Sequence, residues 1–467
     1  MNEIHSFHCD RSFIYIGTIV LSVICACAFF LHPAVPFIIA LLLFSVVVIY
    51  NNLNKSFLLI AILTPLNNMI LVKTGITDIR ICQVIYIICM GLLALRIVVG
   101  SIKLEEYIKF EKYDIAFALY ILISYFQSFI VRIPILALRE LIQLVYFYSL
   151  FIILRSIFAK KMNYNYFIKW MIIVTILFVL VGLANYIFGS TILRLVNIDL
   201  AGANITFLKS SPKIQQSVLS GIEIVRADSF FWGSVGTANI LIILFYLISS
   251  GTSRYIPAIK ISIIPALLVT ASRAGYIVFF FQYMLGSLFS RKRFLLKIIV
   301  GIVCLVMAYS TISIFADRLN EIVSFKEKSN MAHFALWRSG YEMIRNNLLF
   351  GVGTGHFMYE LPNYDYSSAY GLVGLRTEVH NIILKIFTEN GLVGIILLIM
   401  VLYGVLRKSI SMRILFKSKD AQNIFLAFIG TLLMNMTMNA YMIEIFWVVL
   451  ALLASLRYRT DENPSYQ

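Results

Sequence analysis

Three short stretches hold the residue types that could do chemistry. The first is "RTEVHNIILKIFTENG" (Arg376–Gly391), where His380, Asn381, Lys385 and Glu389 precede a run fit for lipid. The second is "LLVTASRAGYIVFF", with Ser272 and Arg273 in a break between two apolar runs. The third is "GIEIVRADSFFWGSVGTANI", with Arg226 and Asp228 just ahead of another apolar run. A neutral imidazole among arginines is a suitable general base. An arginine at membrane depth is costly unless paired or facing water. The alternatives are an arginine snorkelling to the interface and a histidine hydrogen-bonded at headgroup level. Convergence of three polar groups on one face weighs against both.

The elements that must position these groups follow from composition. The chain has 467 residues, 60% hydrophobic and 13% charged, with mean hydropathy +0.88. Apolar runs of about 17–25 residues recur, the length that crosses a bilayer, and in lipid such runs must be helical. The fold class is therefore all-α, a polytopic integral membrane protein. The spans fall at about 13–30, 34–50, 56–72, 81–99, 114–131, 136–154, 166–188, 232–249, 256–271, 274–290, 296–315, 380–406, 422–438 and 441–456, which makes about 12–14 transmembrane helices. The pair around Ser272 could instead be re-entrant. The first run lacks a small-residue cleavage site and is expected to remain as a span.

The net charge of +16 does not imply nucleic acid, because basic residues gather at the cytoplasmic ends of spans. Connections such as "RSIFAKKMNY", "SRKRFLLK" and "RKSISMRILFKSKD" are the dense ones and are expected inside, with both termini. Residues 189–231 and 316–379 then form two external loops on a single transmembrane domain, 1–467. The second loop, between the eleventh and twelfth spans, is too aromatic for a disordered linker. It is expected to be a folded cap with short amphipathic helices such as "ALWRSGYEMIRN". All three polar stretches land on the external face in this topology.

At roughly 100° per residue, Asn381, Lys385, Thr388 and Glu389 share about a 100° arc, so they form one stripe facing the bundle interior. Lys385 and Glu389 are positioned to pair. Thr377 is expected to cap the helix, with Glu378 and His380 in its first turn, where the helix dipole disfavours imidazolium. "GVGTGHF" (Gly351–Phe357) does not follow a strand in a βαβ unit and reads as a tight turn, not a nucleotide site. His333 and His356 lack partners at metal-ligand spacing and read as structural. The cysteines form neither a disulfide framework nor a metal site.

The run "ALWRSGYEMIRNNLLFGVGTGHFMYE … VHNIILKIFTENGLVGIILLI" resembles the signature region of the O-antigen polymerase and O-antigen ligase superfamily. The matching residues are Trp337, Asn347, Gly351, Gly353, Gly355, Phe357, His380, Asn381, Leu384, Glu389, Gly391 and Gly394. "TASRAG" and "RADSFFWGSVGTANI" resemble two upstream segments of the family, although Gly236 and Thr237 stand where a proline is common. The resemblance covers roughly residues 220–410. It implies a membrane glycosyltransferase using a polyprenyl-diphosphate-linked oligosaccharide at the external face of the bacterial plasma membrane, with no metal and no cofactor. It implies His380 as the essential histidine, acting with Arg273, and Arg226 and Arg273 as holders of the diphosphate; Arg376 and Arg338 are further candidates for that binding. Asn381, Lys385, Glu389 and Trp337 would support them. The implied partners are membrane lipids, the lipid-linked glycan, and a chain-length regulator with other polysaccharide-assembly proteins. Polymerase is the favoured activity, for O-antigen, capsule or exopolysaccharide. Ligation to a lipid A core is the alternative, and a polysaccharide flippase is less favoured because the polar groups gather at one face.

Overall fold

The computed structural model describes residues 52–67, 70–73, 78–188, 216–219, 222–225, 229, 233–289, 299, 302, 328–372, 377–409, 415–416, 418–438 and 443–461. Within them the chain is helical: α1 (Leu53–Leu63), α2 (Ile81–Val98), α3 (Lys112–Gln127), α4 (Pro134–Ala159), α5 (Lys161–Phe188), α6 (Gly233–Leu247), α7 (Ile256–Leu268), α8 (Arg273–Leu288), α9 (Lys328–Asn346), α10 (Ile382–Ser409), α11 (Lys419–Met434) and α12 (Glu444–Asp461). Two antiparallel hairpins interrupt them, β1 (Ile70–Lys73) with β2 (Asp78–Arg80), and β3 (Gln216–Leu219) with β4 (Ile222–Val225). The first hairpin corrects the expected span 56–72, whose helical part ends at Leu66 because Ile70–Lys73 pairs as a strand. The expected spans 13–30 and 34–50, and nearly all of 296–315, lie outside the described residues.

Among the described residues, five helical stretches are long and apolar enough to cross a membrane: Ile81–Val98, Pro134–Ala159, Lys161–Ile187, Gly233–Ser250 and Ile382–Ser409. Leu53–Leu66 and Ile256–Leu268 are apolar but shorter. The protein is a helical membrane protein. The side chains sort accordingly. α6 is apolar all round, and every residue from Gly236 to Leu247 is buried, as a core helix must be. α12 packs against α4, α10 and α11, while α6 packs against α5, α7, α8 and α11. Trp447 of α12 centres an aromatic cluster with Phe117, Phe147, Tyr148 and Phe151. α2, by contrast, leaves Ile87, Leu95 and Val98 exposed, a surface suited to lipid rather than water.

α3 and α10 run antiparallel and are tied at both ends. At one end Lys408 pairs with Glu111, and the fully buried Arg155 bonds Asp114 through both Nη atoms, at 2.9 and 3.1 Å. At the other end Asn390 sits in a satisfied polar network. Its Nδ2 shares its two hydrogens among oxygens of Ser124, Gln127 and Thr354, and its Oδ1 accepts from the Tyr120 hydroxyl at 2.8 Å.

The next residue, Gly391, breaks α10: its φ of 66° and ψ of −161° are not helical. Such a break frees backbone groups that lipid cannot satisfy. The glycine turn after α9 satisfies them. Val352 and Gly353 donate their N–H groups to Thr388 O (2.8 Å) and Glu389 O (2.9 Å), while Leu392 N–H donates to Leu348 O (2.8 Å). This backbone-on-backbone docking requires Gly391, where a Cβ would lie 2.3 Å from Leu349 O, and Gly351, where it would lie 2.5 Å from Thr388 O. Gly391→Ala is expected to cost about 3 kcal/mol or more, from clash and left-handed strain together. Gly371→Ala shares the positive φ but meets open space, so about 1 kcal/mol is expected there. Thermal denaturation of the detergent-solubilised variants checks the contrast.

Candidate functional site

α10 begins at Ile382, and its N-cap is Asn381, whose Oδ1 accepts from Leu384 N–H at 3.0 Å and whose carbonyl accepts from Lys385 N–H at 2.8 Å. Ile382 N–H donates to Asn435 O, just past the end of α11. These contacts correct the sequence expectation. Thr377 is not the cap, and Glu378 and His380 precede the helix instead of lying in its first turn. His380 takes a left-handed φ of 50°, unusual for a residue with a Cβ, and the turn holds its ring half-buried. Thr377 Oγ1 lies 3.4 Å from His380 Nε2.

The interior stripe is present. Lys385, Thr388 and Glu389 are almost wholly buried, while Asn381 is half-buried at the rim. Lys385 Nζ is a hub, 2.9 Å from Glu389 Oε1, 2.9 Å from Glu378 Oε2 and 3.0 Å from Glu140 Oε1. Glu389 Oε1 also accepts from Phe357 N–H, which ties the turn after α9 to the same centre. Glu140 was not legible in the sequence, since it reads there as one charge at the start of the apolar α4. Through Glu378, the hub anchors the backbone two residues before His380.

Three segments distant in sequence meet at His333 of α9. Its ring stacks edge-on against His380, with ring centroids 5.9 Å apart at 65°. Arg273, the first residue of α8, is an electrostatic neighbour of His333. Arg273 is half-buried, and its helix is capped by Ser272, whose hydroxyl accepts from Gly275 N–H at 3.2 Å. Burial lowers the pKa of both histidines. At His333 the neighbouring His380 and Arg273 lower it further, whereas at His380 the Glu378 carboxylate acts in the opposite direction. The helix dipole, the cause expected for His380, does not act on it. Burial is the cause, because the ring sits outside the helix.

The remaining expected site residues are placed as follows. The Trp337 ring lies one turn along α9 from His333, with centroids 6.4 Å apart, and is partly exposed. Arg338 lies on the outer face of α9, 3.6 Å from Glu342 and over the Tyr366 ring. Arg226 and Arg376 lie outside the described residues. His356 is structural, as its sequence context suggested: it is buried, its Nδ1 lies 2.9 Å from Thr354 O, and Ile133 N–H donates to its Nε2. His333 lies edge-on against His380, so its ring borders the same site. Its i,i+4 spacing to Trp337 on an amphipathic helix was the one available signal, and its partner is 47 positions away.

A bundle of lipid-suited helices whose one end carries a buried ionic hub, two half-buried imidazoles and a guanidinium is a polytopic membrane protein with a polar site at one end. Residues 258–399, which run from α7 to the middle of α10, match the family model described as O-antigen ligase. That match supports the O-antigen ligase and polymerase superfamily and a glycosyltransferase-like function of that general type. No curated protein gives a significant match to the chain.

Removing the hub cation is expected to destabilise the protein strongly. Lys385→Met leaves three carboxylates facing one another, a loss on the order of 3–5 kcal/mol for breaking a buried ion cluster. The double variant Lys385→Met/Glu389→Gln is expected to recover part of that loss, read as melting temperature in detergent.

Proposed function

We propose that the protein is a glycosyltransferase that polymerises a surface polysaccharide. It transfers a polyprenyl-diphosphate-linked glycan to a lipid-linked repeat unit at the external face of the bacterial plasma membrane. Both termini are cytoplasmic in this reading. The observation that carries it is that His380, from the loop before α10, and Arg273, from the start of α8, are both neighbours of His333 on α9 within the matched segment.

The chemistry needs two things. The oxygen of the acceptor hydroxyl attacks the anomeric carbon while the bond from that carbon to the diphosphate oxygen breaks. The electron pair leaves on the diphosphate, and the hydroxyl proton goes to the neutral His380 ring. Guanidinium groups stabilise the charge on the leaving diphosphate, with Arg273 in this role together with Arg226 and Arg376. Arg338, over Tyr366, would reach the glycan or diphosphate only from the outer face of α9. Attack in one displacement inverts the anomeric configuration. Neither metal nor cofactor is invoked, because fixed cations take the Lewis-acid role.

A second reading is ligation of the glycan to a lipid A core or another acceptor, an activity that the description of the matched family names. Purified lipid-linked repeat unit given to the reconstituted protein separates the two. Polymerisation yields a ladder of chain lengths, whereas ligation yields transfer only to an added lipid A core. His380→Gln is expected to abolish either product at normal expression, and full retention would sink the assignment. Arg273→Lys is expected to cost about 10²–10³ in kcat. The lowered pKa of His380 keeps the base neutral to lower pH. The acid limb of kcat/KM should therefore fall below the ordinary histidine value of about 6.5, and a limb at or above it would contradict the role.

A further inference from the structure

We propose that His333 and His380 form a one-proton pair, in which His380 takes the acceptor's proton and His333 stays a neutral imidazole that hydrogen-bonds a sugar hydroxyl beside the reacting carbon. This rests on the glycosyl-transfer reading and adds a second functional histidine to it.

The geometry is unequal for the two rings. They meet edge-on with centroids 5.9 Å apart, so a second positive charge would sit against the first in a half-buried site. Each ring has a different charged neighbour. Facing His333 from α8 is the guanidinium of Arg273, which opposes a cation there. Facing His380 from its own loop is the carboxylate of Glu378, held 2.9 Å from Lys385 Nζ of α10, and it favours a cation. The charged groups one turn along α9, Arg338 and Glu342, pair with each other on its outer face. The pair is therefore polarised toward His380, and the burial that lowers both pKa values works in the same direction for His333 as Arg273 does.

A neutral imidazole keeps one donor and one acceptor, the complement of a sugar hydroxyl. The partly exposed Trp337 ring lies beside it on the same helix and offers an apolar face to a pyranose. In the transfer step His333 gains and loses nothing: the proton from the hydroxyl resides on His380, and the electron pair on the departing diphosphate.

The test uses the full chain in lipid nanodiscs with carbon-13-labelled histidine. Among the signals of six histidines, those of His333 and His380 are assigned by their loss in His333→Gln and in His380→Gln. Between about pH 5 and pH 8, where an ordinary histidine titrates, the His380 signal should move and the His333 signal should not. A His333 signal that titrates first, or two rings that titrate independently near the ordinary value, overturns the proposal. In the transfer assay, His333→Phe should lower kcat/KM about 100-fold or more and His333→Gln about ten-fold or less, both with the acid limb left at the wild-type pH. A His333→Phe enzyme with wild-type kcat and KM overturns the hydrogen-bonding role. An active His380→Gln enzyme overturns instead the assignment of the base, and the nuclear magnetic resonance titration still decides the pair.

Discussion

The break at Gly391 is the constraint on which the rest depends. A helix interrupted among apolar helices leaves carbonyls and N–H groups that only protein can satisfy. The chain meets this with the turn at Leu348–Gly353, which hydrogen-bonds directly to the opened helix. α9 is thereby fixed to α10 through backbone bonds, independent of side-chain identity except at the glycines. Because α9 carries His333 and α10 follows His380, the position of the two rings is a consequence of that junction. The glycines that first suggested a turn are the contact that holds the site's two halves together.

The hub at Lys385 adds the second restraint. One ammonium among three carboxylates, drawn from α4, from the loop before α10 and from α10 itself, binds three elements at a single point. Burial raises the cost of losing any partner, so the cluster specifies geometry as much as stability. The opposite end of α3 and α10 carries its own charged contacts at Glu111–Lys408 and Asp114–Arg155. The fourteen residues of α3 from Asp114 to Gln127 separate the two ends by about 20 Å. Two helices pinned at both ends hold the histidine loop at a defined height.

Local patterns were legible in the sequence wherever one helix decided the outcome. The stripe Lys385–Thr388–Glu389 and the Lys385–Glu389 pair follow from the 3.6-residue period alone. Ser272, placed by the sequence only in a break between apolar runs, proves to be the cap of α8. The cap of α10 was misplaced by four residues because Thr377 and Asn381 are both good caps. Asn435, from another helix, decides between them by bonding Ile382 N–H. Span 56–72 failed for a related reason: an apolar run of that length does not show that Ile70–Lys73 pairs with Asp78–Arg80. The junction of the glycine turn with Gly391 and the reach of Glu140 to Lys385 are contacts between distant segments, and no local period reports them.

The same reasoning explains why a histidine stands where hydrocarbon would penalise it. His380 is displaced from the helix by its left-handed turn, so its ring faces α9 instead of stacking along α10. A ring inside the first turn would point back along the helix axis, and the α9 imidazole would have no partner. Strain of order 1–3 kcal/mol at such a φ persists only where the surroundings over-determine it. Here Asn381 caps the helix immediately after, and Lys385 holds Glu378 immediately before. The two restraints on either side fix the intervening turn, and the strained residue between them is the one set against His333.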